Sequence, residues 1–238
     1  MIALPDGWSI EWLEEVDSTN EHLKRGSYQH GHVVVADRQT HGRGRRGAVW
    51  HSEPGGGLAF SVMLRPSEPR GLWPRLALAA GLAVAEGLGR LGIEAGVKWP
   101  NDVWIGDKKV AGILVEAVPE GAIVGIGLNV GTREFPEDIS NTATSLWLAD
   151  RVDRTREEVL EILLPPLAAW SARIGRDFGE LLGSLRERCV LTGRAVTLDT
   201  AAGSESGVVR GIGDHGELLL ESSDGIRPIL QADQVRIT

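Results

Sequence analysis

Three arginines and three glycines fall within six residues at Gly42-Arg43-Gly44-Arg45-Arg46-Gly47. Glycine lets backbone N–H groups approach a ligand closely, and arginine presents a fixed fork that pairs with carboxylate or phosphate. The combination suits a ligand with several negative oxygens. An unstructured basic patch for nucleic acid is the alternative, and a net charge of −8 argues against it. A second run, Lys98-Trp99-Pro100-Asn101-Asp102, closes a strand at a proline and sets an amide and a carboxylate after it. Asp102 there could hold Mg²⁺ beside phosphates, or the run could be a plain turn, which Asn and Asp favour. In a third, Lys108-Lys109-Val110-Ala111-Gly112-Ile113-Leu114-Val115-Glu116, Lys109 opens an otherwise apolar strand. Such a lysine can neutralise charge developing between a carboxylate and a phosphate, and Gly112 leaves room for a flat ligand against the backbone. A solvated hairpin lysine is the ordinary alternative for Lys108 and for Lys109. Lastly, Gly125-Ile126-Gly127-Leu128-Asn129 puts two glycines inside a strand and an amide at its end. Glycines weaken a strand unless something approaches it closely.

The elements that must position these residues follow from periodicity and punctuation. Residues 9–17 read as a strand, and Ser18-Thr19-Asn20-Glu21 opens a helix that stops at Gly26, with Ser18 and Glu21 spaced as a capping box. Residues 33–36 and 58–64 read as buried strands, separated by a long polar loop over 37–57. The helix over 72–91 carries one apolar stripe rich in alanine and glycine, as expected for close packing on a sheet. Strands follow at 96–99, 102–105, 109–118 and 122–130, with Gly106-Asp107 as a hairpin turn. This pattern predicts an α+β fold with a mixed sheet and helices to one side. Residues 154–190 are helical, with a break expected at Pro165-Pro166. After Gly193, short strands at 196–198, 207–212, 218–220, 227–230 and 235–237 predict a small β-barrel. The boundary is placed between two domains, 1–189 and 190–238.

The chain has 238 residues, 42% of them hydrophobic, enough for a sizeable core. No run approaches the roughly 18 apolar residues of a membrane span, and the N-terminus lacks the pattern of a secretory signal. A single cysteine, Cys189, cannot form an internal disulfide, which fits a reducing cytoplasm. Cys189 reads as a small hydrophobe at a helix end, with a nucleophile as the less favoured alternative.

Taken together and in order, Asp17-Ser18-Thr19-Asn20, Gln39 with Gly42–Gly47 and Trp50, Lys98–Asp102, Lys109–Glu116 and Gly127-Leu128-Asn129 closely resemble the biotin–protein ligases. By motif the resemblance covers residues from about 14 to 131, and by pattern alone the C-terminal strands. It implies a mixed-sheet catalytic domain related to class II aminoacyl-tRNA synthetases, followed by an SH3-like barrel. It also implies activation of biotin by ATP to biotinyl-5′-adenylate, then transfer to a lysine of a biotin carboxyl carrier protein. Arg45 and Lys109 are then the catalytic residues. Ser18, Thr19, Asn20, Gln39, Gly42, Arg43, Gly44, Arg45, Lys109 and Gly112 are the expected biotin site. Arg43, Arg45, Arg46, Trp50, Asn101 and Asn129 are the expected ATP site, with Trp50 stacked on adenine. Asp102, with Asn129, is expected to help place Mg²⁺. The resemblance leaves a homodimer open.

Only about sixteen residues precede Asp17, too few for a helix-turn-helix domain, so the expected form is the ligase alone, without DNA as a partner. A lipoate–protein ligase of the same superfamily is one alternative, and a non-catalytic regulator that senses biotinyl-adenylate is another. An octanoyltransferase of that group would need a nucleophilic cysteine, and Cys189 lies outside every motif.

Overall fold

The structure, a computed structural model, describes residues 2–50, 55–201 and 203–238. The chain runs β1 (Ser9–Val16), α1 (Thr19–Arg25), β2 (His32–Gln39), β3 (Gly57–Leu64), α2 (Arg75–Arg90), β4 (Gly96–Lys98), β5 (Asp102–Ile105), β6 (Lys108–Val118) and β7 (Gly121–Asn129). It continues through α3 (Leu146–Asp150), α4 (Arg156–Ser171) and α5 (Phe178–Arg188). Five strands complete it: β8 (Ala195–Thr200), β9 (Gly203–Ile212), β10 (Leu218–Ser222), β11 (Gly225–Ile229) and β12 (Gln234–Ile237).

The first seven strands form one mixed sheet in the order β1-β2-β3-β7-β6-β5-β4. Only β1 and β2 pair parallel; the remaining neighbours are antiparallel. Side chains alternate across a strand, so each strand addresses two faces. On one face Val33, Val35, Leu58, Phe60, Val62, Val124, Ile126 and Ile113 pack under α2, α4 and α5 in the main core. The other face carries Ser61, Gly112, Leu114, Glu116, Gly125 and Gly127, and α1 crosses part of it, burying Leu23 against Val34, Met63 and Ile123. The helices are therefore not confined to one side. The apolar patterning of α2 sends it to the core face, whereas the short α1 covers only the end of the other and leaves the rest open.

Three further expectations are corrected. The capping box at α1 does not form: the Ser18 side chain makes no cap hydrogen bond. The Glu21 carboxylate instead binds Lys24 at 2.8 Å and pairs with Arg43. The segment 37–57 is not one open loop, because β2 reaches Gln39 and residues 42–50 fold back on themselves. Gly44 N–H donates to Ala48 at 2.6 Å and Trp50 N–H to Gly42 at 2.9 Å, around a single helical turn at Arg45–Gly47 in which Arg46 has a left-handed φ of 53°. Residues 51–54 of that predicted loop lie outside the described residues. Third, α4 runs unbroken through Pro165-Pro166, and the interruption falls after Ser171. Each of the two missing N–H groups costs about 3 kcal/mol or more in a helix interior. Leu160, Leu163, Leu164 and Leu167 are fully buried there, each contributing roughly 1.5–3 kcal/mol, and packing outweighs propensity.

The last five strands form an antiparallel sheet in the order β11-β10-β9-β8-β12, with each predicted strand present and most of them longer. It adjoins the first sheet near β4 and β5. Trp99 Nε1 donates to Gly216 O at 2.9 Å, and Arg194 pairs with Asp107 at 2.6 Å. Val196, Leu198, Val209, Leu218 and Leu220 join the main core. No helix among the described residues is long and apolar enough to cross a membrane.

Candidate active site

The open face of the large sheet floors a cavity of about 790 Å³. Thirteen of the predicted residues line it: Ser18, Thr19, Asn20, Gln39, Arg43, Gly44, Arg45, Arg46, Trp50, Asn101, Asp102, Lys109 and Gly112. Gly42 stands behind the wall, where a Cβ would collide with the Trp50 carbonyl. Asn129 opens instead onto a neighbouring cavity, so it does not share a chamber with Asp102.

One end of the main cavity is a continuous hydrogen-bond network. Gln39 Oε1 accepts from Thr19 N–H at 2.9 Å, with Thr19 Oγ1 3.2 Å away. Thr19 and Ser61 hydroxyls share a bond of 2.6 Å, and Ser61 donates to Asn20 Oδ1 at 2.5 Å. Asn20 Nδ2 donates to Glu116 Oε2 at 2.8 Å, and Lys24 Nζ to Glu116 Oε1 at 2.6 Å. Burial would raise the Glu116 carboxyl, but hydrogen bonds from Lys24 and Asn20, with the charges of Lys24 and Arg43, hold it below its ordinary value. The network fixes the rotamers of Thr19 and Asn20, while Ser18, whose side chain makes no cap hydrogen bond, lines the cavity beside them. Neither Glu116 nor Ser61 is among the residues expected at the site from sequence. The available signal for Ser61 was a lone hydroxyl on the glycine-bearing face of an otherwise apolar strand.

The glycines of that face admit these side chains. Asn20 lies so close to Gly125 that a Cβ there would collide with its Oδ1. Gly125→Ala is therefore expected to displace Asn20 and raise the KM of the ligand bound at this end by roughly tenfold, the size of one lost hydrogen bond at about 1–1.5 kcal/mol. Steady-state titration checks it, and an unchanged KM would detach Asn20 from binding.

Farther along, Lys109 Nζ sits 2.7 Å from Asp102 Oδ1. The Trp50 ring lies against Gly127 and Gly112, where a side chain on Gly127 would overlap it, and Lys109 Nζ is 5.8 Å from its centroid. The flat group against these glycines is thus a residue of the chain itself. Arg45 crosses the cavity: one guanidinium nitrogen donates to Asn101 Oδ1 at 3.1 Å, another to Ala232 O at 3.0 Å. Arg46 pairs with Asp233. The second sheet therefore holds the arginine loop from its far side, through residues no local pattern marked. Arg43 points the other way, to Glu21 and to Glu116 at 3.3 Å, at the network end rather than beside Lys109.

The neighbouring cavity, about 370 Å³, shares Trp50 and Lys109 with the first. Phe135, Pro136, Ile139 and Ala143 give it apolar walls, and Asn129, whose amide donates to Thr144 O at 2.9 Å, closes one side. Residues 132–143 carry no regular periodicity, so no sequence pattern marks these walls. Cys189 lines neither cavity and sits at the end of α5, bridged to Val97.

The site is thus a polar chamber and an apolar one meeting at a lysine. A profile of the biotin/lipoate A/B protein ligase family matches residues 12–132, the stretch that supplies the polar chamber apart from the second sheet's contribution, together with Trp50, Lys109 and Asn129 of the apolar one. The chain is 36% identical over 231 residues to the bifunctional ligase/repressor BirA of Bacillus subtilis, covering 93% of this chain and 71% of that protein. It is 32% identical to a biotin–[acetyl-CoA-carboxylase] ligase of Paracoccus denitrificans, covering 94% of this chain and 98% of that one. The structure of the Aquifex aeolicus biotin protein ligase in complex with biotin and ATP superposes with a TM-score of 0.89 at 39% identity, over 96% of this chain and 99% of that one. With the motifs in order, the sheet topology shared and the likeness running nearly end to end, this chain belongs to the biotin/lipoate A/B protein ligase family, in its biotin–protein ligase branch.

Proposed function

We propose that this chain joins biotin to ATP and passes the activated biotin to a lysine of a biotin carboxyl carrier protein. The observation that carries this reading is the position of Lys109, at the border of a chamber built from fixed hydrogen-bonding groups and a second, apolar one. A ureido ring suits Ser18, Thr19, Asn20 and Gln39, and a purine suits the walls at Phe135, Pro136 and Ile139. Their reacting ends then meet at Lys109.

In the first step a biotin carboxylate oxygen attacks the α-phosphorus of ATP, and the bond to pyrophosphate breaks. The two anions repel as they approach; the Lys109 ammonium and the Arg45 guanidinium offset that repulsion and stabilise the charge of the transition state. In the second step the carrier's lysine amine attacks the acyl carbon, a proton leaves the nitrogen, and AMP departs. Mg²⁺ borne by phosphates needs only one or two carboxylates. The described residues hold no cluster of three metal-binding side chains, and the Asp102 carboxylate, beside Lys109 with Asp233 on the same cavity, fits that modest demand. Bound there, the ion would neutralise phosphate charge. Residues 1–189 act as the catalytic unit, related to class II synthetases, and 190–238 as an SH3-like unit that braces the arginine loop. The lone Cys189 suits work in a reducing cytoplasm.

Incubation with ATP, Mg²⁺ and either biotin or lipoate separates the two ligase readings. Pyrophosphate release with biotin, and mass gain of a carrier domain at one lysine, is the expected result. Release with lipoate and none with biotin would overturn the reading.

A further inference from the structure

Two carboxylates and two cations meet where α1, the arginine loop and β6 converge. Glu21 and Lys24 come from α1, Arg43 from the loop and Glu116 from β6. Lys24 Nζ is 2.8 Å from Glu21 Oε1 and 2.6 Å from Glu116 Oε1. Arg43 pairs with Glu21 and lies 3.3 Å from Glu116 Oε1. The charges of these four groups cancel. Glu116, half-buried, is the member that also reaches into the polar chamber. Its second oxygen, Oε2, accepts from Asn20 Nδ2 at 2.8 Å, and Leu114 O lies 3.5 Å from the same nitrogen. An amide nitrogen only donates, so these two acceptors turn Asn20 Oδ1 toward Ser61, whose hydroxyl donates to it at 2.5 Å. Asn20 is 3% exposed, so water does not replace a partner that it loses.

We propose that Glu116 is a positioning residue that joins the arginine loop to the biotin end of the chamber: one carboxylate oxygen orients Asn20, and the other anchors Arg43 against Lys24. This rests on the biotin reading above, because the groups it orients are those that suit the ureido ring. It also gives a use to the place of Arg43, which lies on carboxylates of the chain and pins the start of the loop beside α1. Burial alone would raise the Glu116 carboxyl, but hydrogen bonds from Lys24 and Asn20 hold it lower, so it keeps both oxygens as acceptors. An amide has one acceptor oxygen where a carboxylate has two. In Glu116→Gln that oxygen serves either Lys24 or Asn20, and the other partner meets an NH₂ group. The same change leaves Lys24 and Arg43 to share Glu21 alone.

The test compares the parent, Glu116→Gln, and a double variant that adds Lys24→Met. The second change removes the competing cation, restores the charge balance and frees the amide oxygen for Asn20. Three measurements are made on the whole protein: calorimetric binding of biotin, steady-state pyrophosphate release, and the rate at which trypsin cuts after Arg43 in the ligand-free chain. Glu116→Gln is expected to weaken biotin binding by about 10–10²-fold, the range for hydrogen bonds to a charged group. The loss should appear in the KM of biotin and not in kcat, because Glu116 touches no reacting atom. Trypsin should cut the loop faster, and the double variant should recover most of the biotin affinity. Parental biotin affinity or a parental cleavage rate in Glu116→Gln overturns the assignment. So does a loss of affinity that the double variant fails to recover, which would mark Glu116 as structural. A parent protein that binds lipoate and not biotin would instead overturn the biotin reading, and the cleavage rates, which need no ligand, would still decide whether Glu116 anchors the loop.

Discussion

Lys109→Ala is expected to fold as the parent does and to lose biotin-dependent pyrophosphate release by about 10²–10³-fold, the loss typical of removing one preorganised electrostatic contact to a transition state. The structure supports both halves. The Lys109 ammonium is partly exposed on the cavity and paired with Asp102 at 2.7 Å, so no core contact disappears with it. The rest of β6 keeps its register against β7 through Gly112↔Gly127 and Ile113↔Ile126. What disappears is, among the described residues, the one cation that borders both the polar and the apolar chamber. Because the carboxylate and phosphate gain their unfavourable proximity only on the way to the adenylate, the loss should fall mainly on kcat rather than on the KM of biotin. Pre-steady-state pyrophosphate release, with circular dichroism as a folding control, checks this. A folded variant that releases pyrophosphate at the parental rate would remove Lys109 from the chemistry.

The second large effect is expected for Arg45→Gly, and it concerns retention rather than formation. Arg45 ties the arginine loop to Asn101 on one side and to Ala232 on the other, spanning the chamber. Its removal deletes that crossbar and a positive charge, and adds backbone freedom to a loop already containing three glycines. Two charge-assisted hydrogen bonds of about 1.5–3 kcal/mol each set the scale, so the residence time of biotinyl-adenylate should shorten by at least roughly tenfold. Biotin then escapes as its reactive adenylate and labels lysines of bystander proteins. Blotting for biotin after incubation with an unrelated lysine-rich protein reads this directly. If the variant holds the intermediate as long as the parent, the loop is not the closure of the site.

These two side chains show how unequal the sources of positioning are. Lys109 is placed by its own strand: a run of alternating residues fixes which way it points, and Gly112 three residues on shares its face because of a bulge against β5. Arg45 is placed by Asn101, which is 56 residues distant in the chain, and by Ala232, which is 187 residues distant.

The strands and α2 were therefore legible from the letters, since a period of 2 or 3.6 in buried positions is a local property, and the motifs fell into the main cavity because each lies at the end or on one face of such an element. The two prolines of α4 misled because propensity is also local, whereas the leucines that outweigh it are buried by α2. Ser18 and Glu21 had the spacing of a cap, but Glu21 found stronger charged partners in Lys24 and Arg43. Glu116 and Ser61 acquired their importance only when β6 and β3 came to lie either side of β7 and under α1. The division of the site into a polar and an apolar chamber was decided later still, by where the segment 132–143 came to rest. Sequence alone determined which chemical groups this protein carries and the elements that bear them. The tertiary structure decided which of those groups share a chamber, because contacts between distant segments are set by burial and packing of the whole chain, and no spacing along it records them.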